Sequence, residues 1–298
     1  MPDSSLTERL SRLMAHIDDR LAHDAEDSNA GLDVATLAGL AGWSVWHFHR
    51  QFSAACGVAV GRYVQLLRLK RAAWRLAFRQ DSVIAIALDA GYGSPEAFAR
   101  AFRSVCGQSP SAFRSRPDWL GWLQAFDAAR AARSRTMTQT PVADQVHIVD
   151  FPATPVAVLA HRGDPTRLAD SIRAFIAWRR SVGLPPAKST TFNVLRSGPP
   201  GEVLPADFAI DLCAATVEPI APNPAGVVAG LIPAGRCAVL RHVGSDDALE
   251  ALARWLYVQW LPASGEALRD FPLFVERVRF FPDVPEREAV TDLFLPLA

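Results

Sequence analysis

The sequence predicts an all-α N-terminal domain with a double helix-turn-helix and an α+β C-terminal domain of two tandem β-α-β-β units. Two internal duplications support this prediction, because the first half of the chain repeats at an offset of 50 residues and the second half at an offset of 81 residues. A third observation is the change from helical apolar spacing to strand-like runs in the middle of the chain. We therefore predict a double helix-turn-helix domain at 1–116, a helical segment and linker at 117–142 with a hinge near 134–142, and a strand-rich domain at 143–298.

The composition is typical of a protein with two globular domains, since the chain has 298 residues of which 50% are hydrophobic and 21% are charged. It excludes a disordered, collagen-like or disulfide-stapled chain. No apolar run approaches the roughly 20 residues that a membrane span requires, and the N-terminus lacks an apolar signal core. We expect a soluble cytoplasmic protein without a membrane partner.

No pattern for a metal or a cofactor is present in the sequence. The four cysteines (Cys56, Cys106, Cys213 and Cys237) lie far apart without a C-x-x-C pair, and neither a P-loop nor a G-x-G-x-x-G segment occurs. Buried free thiols are the simplest interpretation of these cysteines. We expect no metal site and no cofactor.

The formal net charge of zero hides an asymmetry between the two halves. Residues 33–116 contain 11 Lys and Arg against 4 Asp and Glu, whereas residues 141–298 contain 14 against 18. A basic segment beside a mildly acidic one suggests that the two halves have different functions. Nucleic acid is the polyanion that best fits the basic first half.

The duplication in the first half superimposes residues 46–57 (WHFHRQFSAACG) on residues 96–107 (EAFARAFRSVCG). Each copy is typical of a short helix, a glycine-containing turn and a second helix. We expect Asp33 and Ser44 to cap the two helices of the first copy, and Ser94 to cap the second helix of the other copy.

Two further helices are predicted around these units. Residues 60–80 have helical apolar spacing and no Gly or Pro after Gly61, so we expect one long helix that joins the two copies. Residues 117–134, which are rich in Ala and Trp, predict another helix before the hinge.

The second helix of each copy has a face rich in Arg, His and Trp opposite its apolar face. Such side chains bind phosphates and base edges or pack against thymine methyl groups. A single exposed Arg is by default a solvated surface charge, but Arg50 and Arg100 recur at equivalent positions, which favours contact with double-stranded DNA. The candidate contact residues are Ser44, Trp46, His47, His49, Arg50, Ser94, Glu96, Ala97, Arg100 and Arg103.

Longer motifs run through both copies, with Ser44, Phe48, Arg50 and Phe52 in the first and GYGSPEAFARAFRSVCGQSPSAFR from residue 91 in the second. Through these motifs, residues 32–115 resemble the AraC/XylS class of bacterial transcription regulators. The resemblance implies two recognition helices in successive major-groove segments of promoter DNA. Glu96 fits less well, because a carboxylate repels phosphate and helps only by accepting a hydrogen bond from cytosine N4.

The duplication in the second half aligns AVLAHRG (157–163) with AVLRHVG (238–244), and it also places Asp211 on Asp292. Each copy continues with a helix that ends at a glycine and then with two strand-like runs. We expect the two β-α-β-β units to share one concave sheet with pseudo-twofold symmetry and a pocket at their junction.

Glu276 is the candidate ligand-binding residue of the second half. It lies in an apolar strand-like run, and the aligned position of the first copy is Val194 or Leu195. A buried, unpaired carboxylate is costly unless it meets a cation, so Glu276 suits a positively charged ligand or acid–base chemistry at a raised pKa. The alternative is an edge-strand Glu276 that points to solvent or pairs with Arg277, Arg279 or another local Arg.

Three segments of the second half carry a second resemblance: IPAGRCAVLRHVG (232–244), WLPASGE (260–266), and Pro272 followed by Glu276. Through them, residues 143–298 are similar to the GyrI-like effector-binding domain of multidrug-responsive regulators. The resemblance implies that Glu276 is a counter-ion for lipophilic cations in an aromatic-walled pocket. The candidate walls are Phe175, Trp178, Phe192, Trp255 and Trp260. Cys237 and Val278 replace two tyrosines of the family pattern, which removes hydrogen-bond donors and makes the site drier.

The leading interpretation is a one-component transcription regulator that binds promoter DNA and senses a lipophilic small molecule, which is a cation if Glu276 is its counter-ion, with coupling through residues 115–142. It predicts no catalytic residues and no enzyme activity. One alternative is a Glu276-dependent hydrolase of electrophilic small molecules, which the missing tyrosine at Val278 disfavours. Another makes the C-terminal half a protein-interaction module that contacts RNA polymerase or a different partner.

Overall fold

The computed structural model describes residues 4–23, 31–137, 141–200, 202–281 and 283–298. The first of its two units comprises Met1–Gln139 and Phe281–Arg287, and the second comprises Thr140–Phe280 and Glu288–Ala298. The chain between two strands of the second unit therefore returns a short segment to the first.

The described part of the first unit is helical, which confirms the predicted all-α N-terminal domain. Its helices are α1 (Ser4–His23), α2 (Val34–Ala41), α3 (Val45–Cys56), α4 (Val60–Phe78), α5 (Val83–Asp89), α6 (Pro95–Cys106), α7 (Pro110–Ser115) and α8 (Trp119–Met137). α4 is the predicted long helix between the two helix-turn-helix units, and α8 continues into the range that the sequence suggests as a hinge. Among the described helices, none has the length and apolar character to cross a membrane.

Serine and glycine residues set the ends of α3 and α6, the second helix of each helix-turn-helix unit. The hydroxyls of Ser44 and Ser94 accept hydrogen bonds from the backbone N–H three residues further on, at 3.3 and 3.1 Å. Gly57 and Gly107 follow the two helices with φ angles of 72° and 71°, a conformation that strains other residues. Both predicted serine caps are confirmed, and the local sequence repeat produces two helices with the same boundaries.

One face of α3 and of α6 is buried by pairs of phenylalanines spaced four residues apart. Phe48 and Phe52 have ring centroids 5.8 Å apart, and Phe98 and Phe102 have centroids 5.5 Å apart. All four rings are inaccessible to solvent. Because residues four apart lie on the same side of a helix, this burial turns the intervening polar residues outward.

A buried ion-pair network joins α1, α4 and α8 to the returning segment, Phe281–Arg287. Arg133 on α8 donates to both carboxylate oxygens of Asp18 on α1, at 2.7 Å each. The carboxylate of Glu286 lies 2.5 Å from Lys70 Nζ and 3.2 Å from Arg133 Nη2. No side chain in the network is more than 12% exposed. The carboxylates of Glu286 and Asp18 therefore balance the two buried cations, Lys70 and Arg133.

The second unit is built from strands and helices in the order that the second duplication predicts. Its elements are β1 (Val146–Phe151), β2 (Thr154–Arg162), α9 (Leu168–Ser181), β3 (Thr191–Leu195), β4 (Ala209–Ala215), β5 (Val228–Ile232), β6 (Gly235–Val243), α10 (Leu249–Trp255), α11 (Leu261–Ser264), β7 (Phe274–Arg279) and β8 (Val290–Pro296). A π-helical segment, Leu256–Trp260, joins α10 to α11. The two predicted β-α-β-β units are confirmed as β2-α9-β3-β4 and β6-α10-α11-β7-β8.

Within the described residues, the strands form one eight-stranded antiparallel sheet in the order β1-β6-β8-β7-β3-β4-β2-β5. This order is symmetric about the β7–β3 pair, as the predicted pseudo-twofold symmetry requires. The sequence analysis does not predict β5. β1 precedes the first copy but pairs with β6 of the second, whereas β5 precedes the second copy and pairs with β2 of the first. Each copy thus receives its edge strand from the chain that leads into the other.

The two faces of the sheet carry different cores. The helix face packs Leu159 and Leu212 against α9, and Val275 against α10. The other side, here called the aromatic face, carries Phe151, Phe192, Phe274 and Phe294. Phe274 and its neighbour Val275 belong to different cores because successive side chains of a strand point to opposite faces.

All four cysteines lie within the described residues. The four cysteines are buried and form no disulfide, as the sequence analysis expects of buried free thiols. No group of three or more His, Cys, Asp or Glu in the described ranges is arranged to hold a metal ion.

Candidate functional site

Four of the predicted DNA-contact residues lie on the outward face of α3, and a fifth, Ser44, caps its start. Trp46 is 62% exposed, and the guanidinium of Arg50 lies 5.0 Å from the centroid of its ring. His47 Nδ1 is 3.1 Å from the capping hydroxyl of Ser44, and His49 is exposed. The outward face of α3 thus presents an indole ring beside a guanidinium, groups that pack against thymine methyls and that donate to phosphates or base edges.

α6 presents a simpler outward face. Arg100, Arg103 and Glu96 are exposed, whereas Ser94 and Ala97 are partly buried. Glu96 lies in the first turn of α6, where a carboxylate is stabilised by the helix dipole, so its presence has a structural reason that needs no DNA. All ten candidates are therefore on or at the start of the two equivalent helices, and their contact with DNA stays a prediction.

Glu276 lies on the aromatic face of the sheet, at the centre of its strand order. Its side chain is half-buried. On the neighbouring strands, the residues directly opposite Glu276 are Phe192 on β3 and Asp292 on β8. Burial, together with the charge of Asp292, raises the pKa of Glu276 above its usual range, while Arg241 acts in the opposite direction. Arg241 is engaged by Asp292 through two hydrogen bonds of 2.7 Å.

The alternative partners of Glu276 are engaged elsewhere. Arg277 forms ion and hydrogen-bond contacts with Asp246 and Asn193, and Arg279 pairs with Glu288. Within the described part of the chain, the carboxylate of Glu276 makes no hydrogen bond or ion pair with a side chain. It is thus a partly desolvated acid that is available to a ligand.

The second duplication gives Glu276 a single structural counterpart. Asp211 on β4 lies opposite Val194 on β3, just as Asp292 on β8 lies opposite Glu276 on β7. Asp211 and Asp292 occupy equivalent positions in the two copies. Val194 is therefore the counterpart, and the alternative Leu195 faces the other side of the sheet. The two halves of the aromatic face differ in charge at this position.

The structure does not bring all five predicted aromatic walls together around Glu276. Phe192 is directly opposite Glu276 on the aromatic face. The other four candidates lie on the helix face, where Phe175 and Trp178 of α9 pack against the sheet and where Trp255 and Trp260 pack with Val275. Their helical positions place them there, because α9 and α10 cover the side of the sheet opposite to Glu276. Phe274 and Phe294, which the sequence analysis did not select as walls, share the aromatic face with Phe192.

A groove of about 270 Å³ opens on the aromatic face of the first copy. Its lining includes Asp211, which is only 4% exposed. Arg162 Nη2 donates to one carboxylate oxygen of Asp211 at 2.7 Å, and Arg196 Nε donates to the other at 2.6 Å. This cluster was not predicted from the sequence, although the recurrence of Asp211 and Asp292 in apolar strands was a usable signal.

Family comparisons agree with the two resemblances. The model of the GyrI-like small molecule binding domain matches residues 144–298, which is more than half of the chain. The chain belongs to the GyrI-like family. A helix-turn-helix domain model matches residues 37–116, which contain α3, α4 and α6. The GyrI-like domain is therefore joined to a DNA-binding domain of the AraC type, as the sequence motifs indicate.

Curated relatives match between about a third and a half of this GyrI-like protein. The probable transcriptional regulator YgiV of Escherichia coli K12 is 40% identical over 154 residues, which cover 51% of this chain and 96% of that protein. The right origin-binding protein of the same strain is 34% identical over 88 residues, which cover 30% of each chain. The regulatory protein SoxS of that strain is 32% identical over 100 residues, which cover 34% of this chain and 94% of SoxS.

Proposed function

We propose that the protein is a one-component transcription regulator in which α3 and α6 bind promoter DNA and the GyrI-like domain binds a small-molecule effector. The supporting observation is that Arg50 and Arg100 occupy equivalent, exposed positions on two helices with the same caps and the same buried Phe pairs. The relatives named as transcriptional regulators support the same role. We place its action in the cytoplasm, where bacterial promoters are, and RNA polymerase is the partner that an activator would contact.

The DNA-binding proposal is tested by sequence selection followed by substitution. The full chain is first used to enrich binding sequences from a randomised duplex library. Arg50→Ala and Arg100→Ala are then each expected to weaken binding to the enriched sequence by about 1 to 3 kcal/mol, because each Arg supplies charged hydrogen bonds to bases or phosphates. Fluorescence anisotropy at fixed salt concentration measures the affinity.

Arg130→Ala is the matched control, because Arg130 is 59% exposed on α8, outside the two equivalent helices. It is expected to leave the affinity for the enriched sequence unchanged. Failure to enrich any sequence, or unchanged affinity in both the Arg50 and Arg100 variants, would contradict the proposal.

We further propose that Glu276 is the counter-ion for a lipophilic, positively charged effector. Its carboxylate is partly desolvated, faces Phe192 and has no side-chain partner among the described residues. In the full chain, Glu276→Gln is expected to weaken binding of tetraphenylphosphonium about tenfold or more, because a charge-assisted contact is lost. Isothermal titration calorimetry measures this affinity.

Triphenylphosphine oxide, a neutral analogue, is expected to bind wild type and Glu276→Gln alike. Glu202→Gln is the charge-matched control, because the Glu202 side chain is 47% exposed. Equal affinity of wild type and Glu276→Gln for the cation would remove Glu276 from the site. We propose no enzyme activity, and turnover of an electrophilic ester that disappears in Glu276→Gln would overturn that view.

A further inference from the structure

The immediate surroundings of Asp292 and Asp211, which are equivalent residues on the aromatic face, differ in charge. Around Asp292, one arginine and Glu276 leave an excess of one negative charge. Around Asp211, Arg162 and Arg196 share one carboxylate and leave an excess of one positive charge. The first-copy half is thus unsuited to the cation that Glu276 would hold, and it favours an anion.

Arg196 is held in an orientation that leaves part of its guanidinium unused. Its Nε donates to Asp211, and its guanidinium lies 5.5 Å from the centroid of the Phe271 ring. Its Nη1 and Nη2 form no hydrogen bond with the described residues of the chain. Two parallel N–H groups at the end of a guanidinium match the two oxygens of a carboxylate.

The rest of the groove is lined by apolar residues. Val158, Val194 and Cys213 line it together with Phe271. Gly230 on β5 packs against Val158, and a Cβ atom at Gly230 would lie 2.6 Å from a methyl carbon of Val158. A ligand with an apolar body fits such a groove better than a hydrated inorganic anion, because the body replaces water along the apolar lining.

We propose that this groove binds a small aromatic or aliphatic carboxylate whose carboxylate group is held by Arg196 and whose body lies along Val158 and Val194. Because Arg162 and Arg196 pair with a single carboxylate, that of Asp211, one positive charge remains to attract the carboxylate of the ligand. Glu276 is not among the residues that line this groove. Binding of a carboxylate to the groove and binding of a cation at Glu276 are therefore measured in separate experiments.

The test uses three probes with the same ring system and different charge. 2-Naphthoate is expected to bind the full chain saturably in calorimetry, with 2-naphthamide at least tenfold weaker and 2-naphthylmethylammonium weaker still. Arg196→Gln is expected to reduce naphthoate affinity about tenfold. Arg196→Lys is expected to bind naphthoate with an affinity between those of wild type and Arg196→Gln, because the lysine ammonium keeps the positive charge but lacks the two parallel N–H groups of the guanidinium.

Two controls separate this site from general charge effects and from the proposed cation site. Arg167→Gln removes an equal charge from a side chain that is 75% exposed outside the groove, and it is expected to leave naphthoate binding unchanged. Glu276→Gln is expected not to weaken naphthoate binding. Absence of saturable naphthoate binding, or equal affinity in wild type and Arg196→Gln, overturns the proposal whatever the outcome of the cation experiment.

A second, independent observation concerns the returning segment. The chain passes from β7, which carries Glu276, through Phe281–Arg287 to β8, which carries Asp292. Within the first unit, Glu286 lies in the buried ion-pair network with Lys70 of α4, the helix between the two helix-turn-helix units. The ring of Phe281 lies 6.0 Å from that of Trp74, also on α4.

We infer that Phe281–Arg287 couples effector binding to DNA binding, an inference that rests on the proposed function. Withdrawing Glu286 would leave Lys70 and Arg133 with one excess buried positive charge, so the position of the segment and the packing of α4 are linked. The sequence analysis placed the coupling in residues 115–142, whereas this route runs through the connection between β7 and β8.

Hydrogen exchange of the full chain with and without an enriched DNA sequence tests the coupling. DNA is expected to slow exchange in α3 and α6 and also in β7 and β8, and Glu286→Gln is expected to abolish the effect in the strands only. Arg79→Gln, at the more exposed pair with Asp283, serves if Glu286→Gln does not fold, and it is expected to reduce the strand effect. Protection of α3 and α6 without any change in β7 and β8 overturns the coupling, whereas no protection anywhere counts against DNA binding itself.

Discussion

The raised pKa of Glu276 ties its charge state to folding as well as to ligand binding. Burial and Asp292 make the folded chain hold the Glu276 proton more tightly than the unfolded chain does. The stability that this provides is present at low pH, where Glu276 is protonated in both states. It is lost as the pH rises through the raised pKa of the folded state.

Glu276→Gln, which is always neutral, is therefore expected to be more stable than wild type at about pH 7. The gain should stay below about 1 kcal/mol, because the side chain is half-exposed and solvent screens its charge. Thermal melts of the full chain from about pH 7 down to about pH 4 measure the difference, which should vanish at the acidic end. Glu202→Gln is the control, and a constant difference at every pH would contradict the assignment.

The helices depend on local devices at their ends. α6 begins at Ser94, whose hydroxyl accepts the hydrogen bond of Ala97 N–H, and ends at Gly107. The same arrangement at α3 explains why both copies retain serine and glycine at these positions. Ser44 and Ser94 thus have a folding role before any role at DNA.

Ser94→Ala is expected to destabilise the first turn of α6 by about 1 kcal/mol, because one backbone N–H loses its acceptor. Ser94→Asn should retain most of the stability, since its side chain also caps helices. Amide exchange of α6 in the full chain measures both variants. Equal loss in the Ala and Asn variants would indicate a role other than capping.

At the scale of the whole molecule, the helical unit contains a segment that comes from the other end of the chain. Glu286 neutralises Lys70 and Arg133, and these cations hold the pKa of Glu286 below its usual range although burial alone would raise it. The boundary of the helical domain therefore cannot be drawn at a single position in the sequence.

Residues 1–139 expressed alone lack Glu286 and are expected to be less stable than the same residues in the full chain, by about 3 kcal/mol. The physical reason is the excess positive charge left on Lys70 and Arg133. Hydrogen exchange of α4 and α8 in the fragment and in the full chain measures the difference. Lys70→Met should recover part of the loss in the fragment, and identical protection in fragment and full chain would contradict the role of Glu286.

Local and repeated features could be predicted from the sequence. The ends of α3 and α6, the long α4 and the two β-α-β-β units follow from caps, apolar periodicity and duplication, which act over a few residues. The position of Glu276 in an apolar strand is also readable. Its aromatic neighbours were only partly predicted, because Trp255 and Phe175 belong to helices that pack on the other side of the sheet, and periodicity does not reveal which face of a sheet a helix covers.

The sequence by itself determined the doubled helix-turn-helix, the order of the elements within the two β-α-β-β units and the presence of one carboxylate without an equivalent in the other copy. Only the tertiary structure decided that Val194 is the counterpart of Glu276, that two arginines share Asp211, and that Glu286 is buried in the helical unit. Charge pairing depends on distance in space, and residues that are 216 positions apart, such as Lys70 and Glu286, leave no local pattern in the chain.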